Sequence, residues 1–378
     1  MKIGIPKETA PGEKRVALIP ETVKKLAARK IETVVETGAG TASSFSDDEY
    51  KAAGATIASS LEDLASRVDT VIKVIRPSDA ELAKLKDGSG LVSLQYPLSS
   101  PDFVKATNAK KLLTIALDMI PRTTLAQAMD VLSSQANLAG YWAVVAAATK
   151  LPKIFPMLMT AAGTITPSRV LIMGTGVAGL QAIGTAKRLG AIVEATDVRP
   201  ETKEQVESLG GKFLMVQGVE YKQGTGGYAV EQSDEYKKAQ AAMISAAISK
   251  ADVVITTALI LGRKAPVLVT EEQVKSMRPG SVVVDLAAEQ GGNVAGSEAG
   301  KDVVKNGVTI IGGLSVPSNV AFHASQAFSR NIEKLLLHLT KEGEWKLVLN
   351  DPNDPIPPGC VITKDGEILQ AKVKETIK

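Results

Sequence analysis

Three glycines and an aspartate carry the clearest chemistry in this sequence. Gly174, Gly176 and Gly179 spell G-x-G-x-x-G, and Asp197 follows 23 residues after the first of them. The first glycine allows a tight turn, the second lets backbone approach a pyrophosphate, and the third lets a helix pack on a strand. N–H groups and a positive dipole end at the start of that helix complete a phosphate cradle. The Asp197 carboxylate can bond the hydroxyls of an adenosine ribose. It would also repel a 2′-phosphate, which favours NAD over NADP, although Arg199 two residues on could hold such a phosphate.

Other polar groups are compatible with chemistry in more than one way. Arg122, Gln127 and Asp130 sit at the start of a long helix, with Gln127 and Asp130 three apart and sharing a face. Together they could bond a nicotinamide ribose or a second nucleotide, or they could be a helix cap and a solvated face. Tyr228 follows Gly226 and Gly227 in a glycine-rich segment, as a lid over a nucleotide or as an ordinary exposed tyrosine. Lys73 lies inside the apolar run VIKVI, an expensive place for a charge without a partner. Arg15 could anchor a carboxylate or form a surface ion pair with a neighbouring acid. The only histidines, His323 and His338, fall on one late helix. No Ser-His-Asp or Cys-His arrangement emerges, and no cluster has metal-ligand spacing. Direct hydride transfer, where geometry matters more than acid–base groups, fits this inventory.

The elements that must position these residues are legible from periodicity. Val170–Met173 reads as a buried strand, Ala178–Leu189 as a helix and Ile192–Thr196 as a second strand that Asp197 ends. Before them, Met1–Pro6, Ile31–Glu36, Thr70–Ile75, Leu91–Gln95 and Leu112–Ala116 read as strands. Pro20–Arg29, Asp79–Leu85 and Pro101–Lys110 read as helices between them, an α/β unit without a glycine fingerprint. After them come helix Glu201–Leu209 and strands Lys212–Val216, Val253–Thr257, Ser281–Asp285 and Val308–Ile311. Gln217–Ser233 lacks periodicity and reads as a lid or binding segment. Val131–Thr149 runs 19 residues without a charge, but its polar first half reads as a buried helix rather than a membrane span. Asn319–Leu339 is a second long helix, and Asp351–Gly359 is irregular.

The expected fold is α/β: two Rossmann-like, doubly wound parallel-sheet domains joined by two long helices, with a cleft between them. Residues 1–129 and 320–378 form a discontinuous N-terminal domain, and 130–319 the NAD(H)-binding Rossmann domain. The 378 residues are 44% hydrophobic and 22% charged with a net charge of +3, which suits large cores and does not suggest nucleic acid as a partner. The single cysteine, Cys360, excludes an internal disulfide and fits a reducing compartment. Met1 leads straight into a strand, so no signal peptide is expected.

Several stretches resemble the NAD(H)-binding component, domain I, of proton-translocating transhydrogenase. They are Met119–Tyr141, GTGVAGLQAIGTAKRLGA (Gly174–Ala191), ATDVRPETKEQVESLGGKF (Ala195–Phe213), GGYAVEQSDEY (Gly226–Tyr236), TTALILGRKAPVLVT (Thr256–Thr270) and VVDLAAEQGGN (Val283–Asn293). The similarity covers nearly the whole chain. It implies that Arg122, Gln127 and Asp130 lie in the loop presenting NAD(H) to NADP(H) on a partner, and that Ser133 contacts the nucleotide. It assigns Gly174, Gly176, Val177 and Gly179 to the pyrophosphate turn, Asp197 to the adenosine ribose and Tyr228 to a mobile loop. Hydride transfer between NAD(H) and NADP(H), coupled to proton movement through a separate membrane domain, is the implied activity. A homodimer is implied as well, on the cytoplasmic face of the inner membrane as a peripheral subunit. Leu261 departs from the family, where proline is common.

The sister family, alanine dehydrogenase, shares the opening IPKE…RVALIP and is the alternative enzyme. It needs a histidine on the strand-end loop near Leu94–Leu98 and an aspartate before the later Gly-Gly. Gln95 and Glu289 stand there instead, which argues against oxidative deamination. A non-catalytic NAD(H)-sensing module is the third reading.

Overall fold

Each apolar run marked in the first 120 residues becomes a strand of one sheet, and Thr56–Ala58, which the sequence pattern does not mark, adds a sixth. They are β1 Lys2–Ile5, β2 Glu32–Glu36, β3 Thr56–Ala58, β4 Thr70–Ile75, β5 Gly90–Leu94 and β6 Leu113–Ala116, all paired in parallel in the order β3-β2-β1-β4-β5-β6. Successive side chains point to opposite faces, so Val34, Val71 and Leu91 join one core while Val35, Ile72 and Val92 join another. Short helices cross between the strands. Asp47–Ala52 and Asp79–Lys84 each start on a serine, Ser46 and Ser78, in a complete capping box with the glutamate three residues on.

The computed structural model describes residues 1–216, 233–259, 262 and 264–377, and divides into Met1–Gln135 with Pro317–Lys378 and Ala136–Val316. Tyr228 and Leu261, and nearly all of the glycine-rich segment, lie outside the described residues. The first unit takes two further strands that the sequence pattern does not anticipate. Val361–Lys364 pairs antiparallel with β6, and Glu367–Ile368 pairs with that strand in turn. The second unit opens with a hairpin, β7 Leu158–Thr160 and β8 Gly163–Ile165, whose residues are all exposed.

The sheet of the second unit follows. It contains β9 Arg169–Met173, β10 Ile192–Thr196, β11 Lys212–Phe213, β12 Val253–Thr256, β13 Val282–Asp285, β14 Asp302–Lys305 and β15 Val308–Gly312, in the order β11-β10-β9-β12-β13-β15-β14. Only β14, with two exposed positions, is antiparallel. The strand expected at Lys212–Val216 ends at Phe213. The two expected long helices form as Val131–Lys150 and Ala321–Leu339. Ala143, Val144 and Ala147 enter the core around Ile172 and Val193. Among the described residues no helix is long and apolar enough to cross a membrane.

Candidate nucleotide site

At the end of β9 the chain makes the turn that the glycines predict. Gly174 has φ +99°, a region in which a side chain would be strained. Its N–H donates to Thr196 O at 2.9 Å, and its carbonyl accepts from Thr257 Oγ1 at 3.1 Å. Gly176 is the N-cap of helix Val177–Arg188 and makes no side-chain cap hydrogen bond. A Cβ on Gly176 would meet no atom within 4 Å, so open space lies over the helix start. A Cβ on Gly179 would collide with the Gly174 carbonyl, and one on Gly140 with the Ala178 carbonyl. Sequence reasoning misses Gly140: it lets helix Val131–Lys150 approach the nucleotide-turn helix, and an isolated helical glycine is its only signal. These residues suit a pyrophosphate: bare N–H groups at a helix start, with no side chain to fill the space.

Asp197 ends β10 with its side chain only 6% exposed. Its carboxylate accepts five hydrogen bonds. Thr175 donates from N–H (2.7 Å) and hydroxyl (3.0 Å); Arg199 donates from N–H (2.9 Å), Nε (3.0 Å) and a terminal guanidinium nitrogen (3.1 Å). Burial pushes the carboxyl up, but the Arg199 and Thr175 hydrogen bonds outweigh it and hold the group below its ordinary range. Arg199, half exposed, therefore sits on the acid rather than apart from it. Sugar hydroxyls would reach Asp197 by taking over some of the positions that this arginine holds.

In the first unit, Arg122 to Leu125 are exposed, and Ala126 and Met129 are buried pegs that pin the segment. Asn331 Nδ2 donates to Ala128 O at 2.8 Å from helix Ala321–Leu339. Gln127 is exposed in a single 3-10 turn, Gln127–Met129. Asp130 lies outside both that turn and the following helix, accepting from Ser133 N–H at 2.9 Å and Ser133 Oγ at 2.6 Å. The idea that Gln127 and Asp130 share a helical face is thus corrected: Asp130 caps the long helix from outside it. Asp130 and Ser133 are brought together, while Gln127 and Arg122 face solvent.

The remaining polar candidates are internally engaged. Arg15 does pair with a neighbouring acid, but in the interior: it forks onto Glu13 at 2.8 and 2.6 Å and donates to Gln135 Oε1 at 2.9 Å, only 4% exposed. Lys73 finds the partners its burial demands in Glu81 (2.9 Å) and Glu8 (3.5 Å). Gln95 turns its amide inward onto the Leu91 and Ile115 carbonyls, while its N–H and that of Tyr96 donate to Asp118. Glu289 is exposed and accepts from Ser315 N–H at 2.9 Å. His323 lies edge-on to Phe322, and His338 Nε2 is 2.8 Å from Asp354. Cys360 is fully buried, and burial pushes its thiol up to about 12, so it is inert at neutral pH. No described group of His, Cys, Asp and Glu could hold a metal.

Known proteins resemble this chain in sequence and fold. Residues 4–139 match the family model described as alanine dehydrogenase/PNT, N-terminal domain, and 143–371 match its C-terminal domain. The first section of the NAD(P) transhydrogenase alpha subunit of Rhodospirillum rubrum is 50% identical over 377 residues, covering 98% of each chain. The crystal structure of a transhydrogenase from Sinorhizobium meliloti superposes with a TM-score of 0.87 at 44% identity, covering 97% of this chain and all of that one. An L-alanine dehydrogenase superposes with a TM-score of 0.80 at 26% identity, covering 100% of this chain and 99% of that one.

Proposed function

The chain belongs to the alanine dehydrogenase/PNT family, and from that premise we propose that it is the NAD(H)-binding component of a proton-translocating transhydrogenase. In this reading the chain holds NAD(H), a partner subunit holds NADP(H), hydride passes directly between the two nicotinamides, and a membrane-spanning domain couples the exchange to proton translocation. Activity then requires the partner, through which the chain is peripheral to the cytoplasmic face of the inner membrane.

One observation supports the reading: a glycine turn, Gly174–Gly179, with open space at its helix start, stands beside a strand-end acid held below its ordinary range and collecting donors. The helix start beyond Gly176 would hold the pyrophosphate, and Val177 would line it. Asp197 would hold the adenosine ribose, with Arg199 turning aside and the acid opposing a 2′-phosphate. Tyr228 is assigned to close over the nucleotide, as a proposal from the family motif. By the family motif, Ser133 is assigned to contact the nucleotide, and Arg122, Gln127 and Asp130 to the segment that presents it to the partner. These groups bind and align; none of them needs to move a proton.

The amino-acid dehydrogenase alternative is weakened at Gln95, whose amide is committed to backbone carbonyls where that reading needs a proton-transfer group. A homodimer is included in the proposal. Met157, Leu158, Met159 and Ile165, between 45% and 79% exposed around the β7–β8 hairpin, offer apolar surface for a second copy to cover.

Titration of the purified chain with NADH and NADPH is expected to show tighter NADH binding, and alanine with NAD⁺ should give no turnover. Mixed with the NADP(H)-binding partner, the chain should exchange hydride between NADH and an NADP analogue. Failure to bind NADH, or unaided amino-acid oxidation, overturns the reading. Binding without exchange leaves the sensing module.

A further inference from the structure

The motif VVDLAAEQGGN leaves one residue that the nucleotide assignments do not use. Asn293 is fully buried. Its side-chain carbonyl accepts from Ala258 N–H at 3.0 Å, and its amide donates to Ala258 O at 3.0 Å and Pro266 O at 2.7 Å. Both backbone polar groups of one residue are therefore clasped by one amide. Only an amide can do this, since a carboxylate cannot donate and an apolar group can do neither.

Asn293 is itself fixed by Asp285, the last residue of β13 and fully buried. The Asp285 carboxylate accepts from the N–H groups of Asn293 (2.9 Å), Val294 (3.1 Å) and Ala287 (2.9 Å). This folds residues 287–294 so that Asn293 reaches across to the end of β12. On the other side of Ala258, Thr257 N–H donates to Met173 O at 3.0 Å and its hydroxyl to Gly174 O at 3.1 Å. The sheet reverses its winding between β9 and β12, and nucleotides lie across such a switch point at the carboxyl ends of the strands. The Gly174 turn and the Thr257–Ala258 backbone follow the two strands on either side of that switch point.

We infer that Asn293 is a positioning residue, holding the Ala258 backbone as the wall against which the nicotinamide half of the dinucleotide is set. The inference rests on the proposed NAD(H) site and sharpens it. The adenosine half, held at Gly174–Gly179 and Asp197, does not depend on Asn293. Leaving two carbonyls without their donor lets the Ala258 peptide rotate, because a buried carbonyl that loses its partner turns to find another.

The test is binding of NADH and of ADP-ribose, which lacks the nicotinamide, to wild type, Asn293→Asp and Asn293→Ala, with melting curves alongside. The Asp variant keeps the shape and the bond to Ala258 N–H, so it reports even if the Ala variant fails to fold. Both substitutions are expected to weaken NADH about tenfold or more while ADP-ribose stays within about twofold. Equal weakening of both ligands in a folded variant would make Asn293 a structural residue only, and no weakening of either would also overturn the inference. A wild-type chain that binds neither ligand removes the nucleotide site itself, an outcome distinct from either.

Discussion

In the first unit the chain winds from β1 to β2 and β3, then returns past β1 to β4, β5 and β6; in the second it winds from β9 to β10 and β11, then returns to β12, β13 and β15. The two switch points are thus equivalent in topology, yet they are furnished in opposite ways. Beyond β1 the chain supplies Glu8, whose carboxylate accepts Val74 N–H at 2.6 Å across the reversal and lies 3.5 Å from Lys73 Nζ. Beyond β9 it supplies Gly174, Thr175 and Gly176, with open space over Gly176. One reversal point is filled by the chain's own charge, and the other carries no charge of the chain at its helix start, where the proposed nucleotide would place its own. Winding creates the location, and residue type decides whether anything can bind there.

Breaking the filled site is expected to have the largest effect, and on stability rather than binding. Lys73→Met removes the cation between Glu8 and Glu81 while keeping the side-chain length. A buried pair that loses one partner costs about 3–5 kcal/mol, read as a lower urea midpoint, and NADH affinity in the folded fraction should not change. A stability change under about 1 kcal/mol would mean that water, not Lys73, compensates these acids. Closing the open site comes next. Gly179→Ala drives a Cβ into the Gly174 carbonyl, backbone against backbone, which cannot yield as a flexible side chain would. NADH affinity in the folded fraction should fall about hundredfold, roughly 2.7 kcal/mol, alongside a stability loss of about 1–3 kcal/mol. Retained affinity would mean that the turn is not the grip.

The sequence exposes the open switch point far better than the filled one. Strand, glycines, helix and acid lie within some 30 consecutive residues, and each leaves a local mark: an apolar run, a glycine at positive φ, a period of 3.6. The filled switch point joins Glu8 to Lys73, whose partnership no periodicity encodes, although VIKVI announces that a partner has to exist. The same limit hides the antiparallel pairing of Val361–Lys364 with β6, a contact across about 250 residues whose strand follows a proline-rich segment that reads as irregular but ends in a short helix, Ile356–Cys360. Asp130 shows a different failure. Its spacing from Gln127 fits a helix, but its spacing from Ser133 fits a cap equally well, and the cap forms because the preceding turn is 3-10 rather than α. Asn293 leaves no sign, since it follows two glycines in a turn and its partners are backbone atoms on another strand end.

The smallest expected effect sharpens the comparison by asking what the buried charge costs. Burial pushes the Glu8 carboxyl up from its ordinary range to about 7, with Glu13 adding to the rise, against the pull of Lys73, the Val74 N–H and Arg15. Such a group holds its proton in the folded chain at pH values where the unfolded chain has already lost it. Below about pH 4.5 both states are protonated and Glu8 contributes no pH dependence. Between there and about pH 7 the unfolded state binds fewer protons, so stability falls as pH rises; above that window the loss is complete and constant. Glu8→Gln keeps an acceptor for Val74 N–H and removes the ionisation. Its melting temperature relative to wild type should therefore climb by a few degrees from pH 5 to pH 8 and then level off. A difference that stays flat across that range would show Glu8 ionised throughout, with Lys73 fully offsetting its burial. The first switch point would then be an ordinary ion pair, leaving Glu8 without a proton to lose.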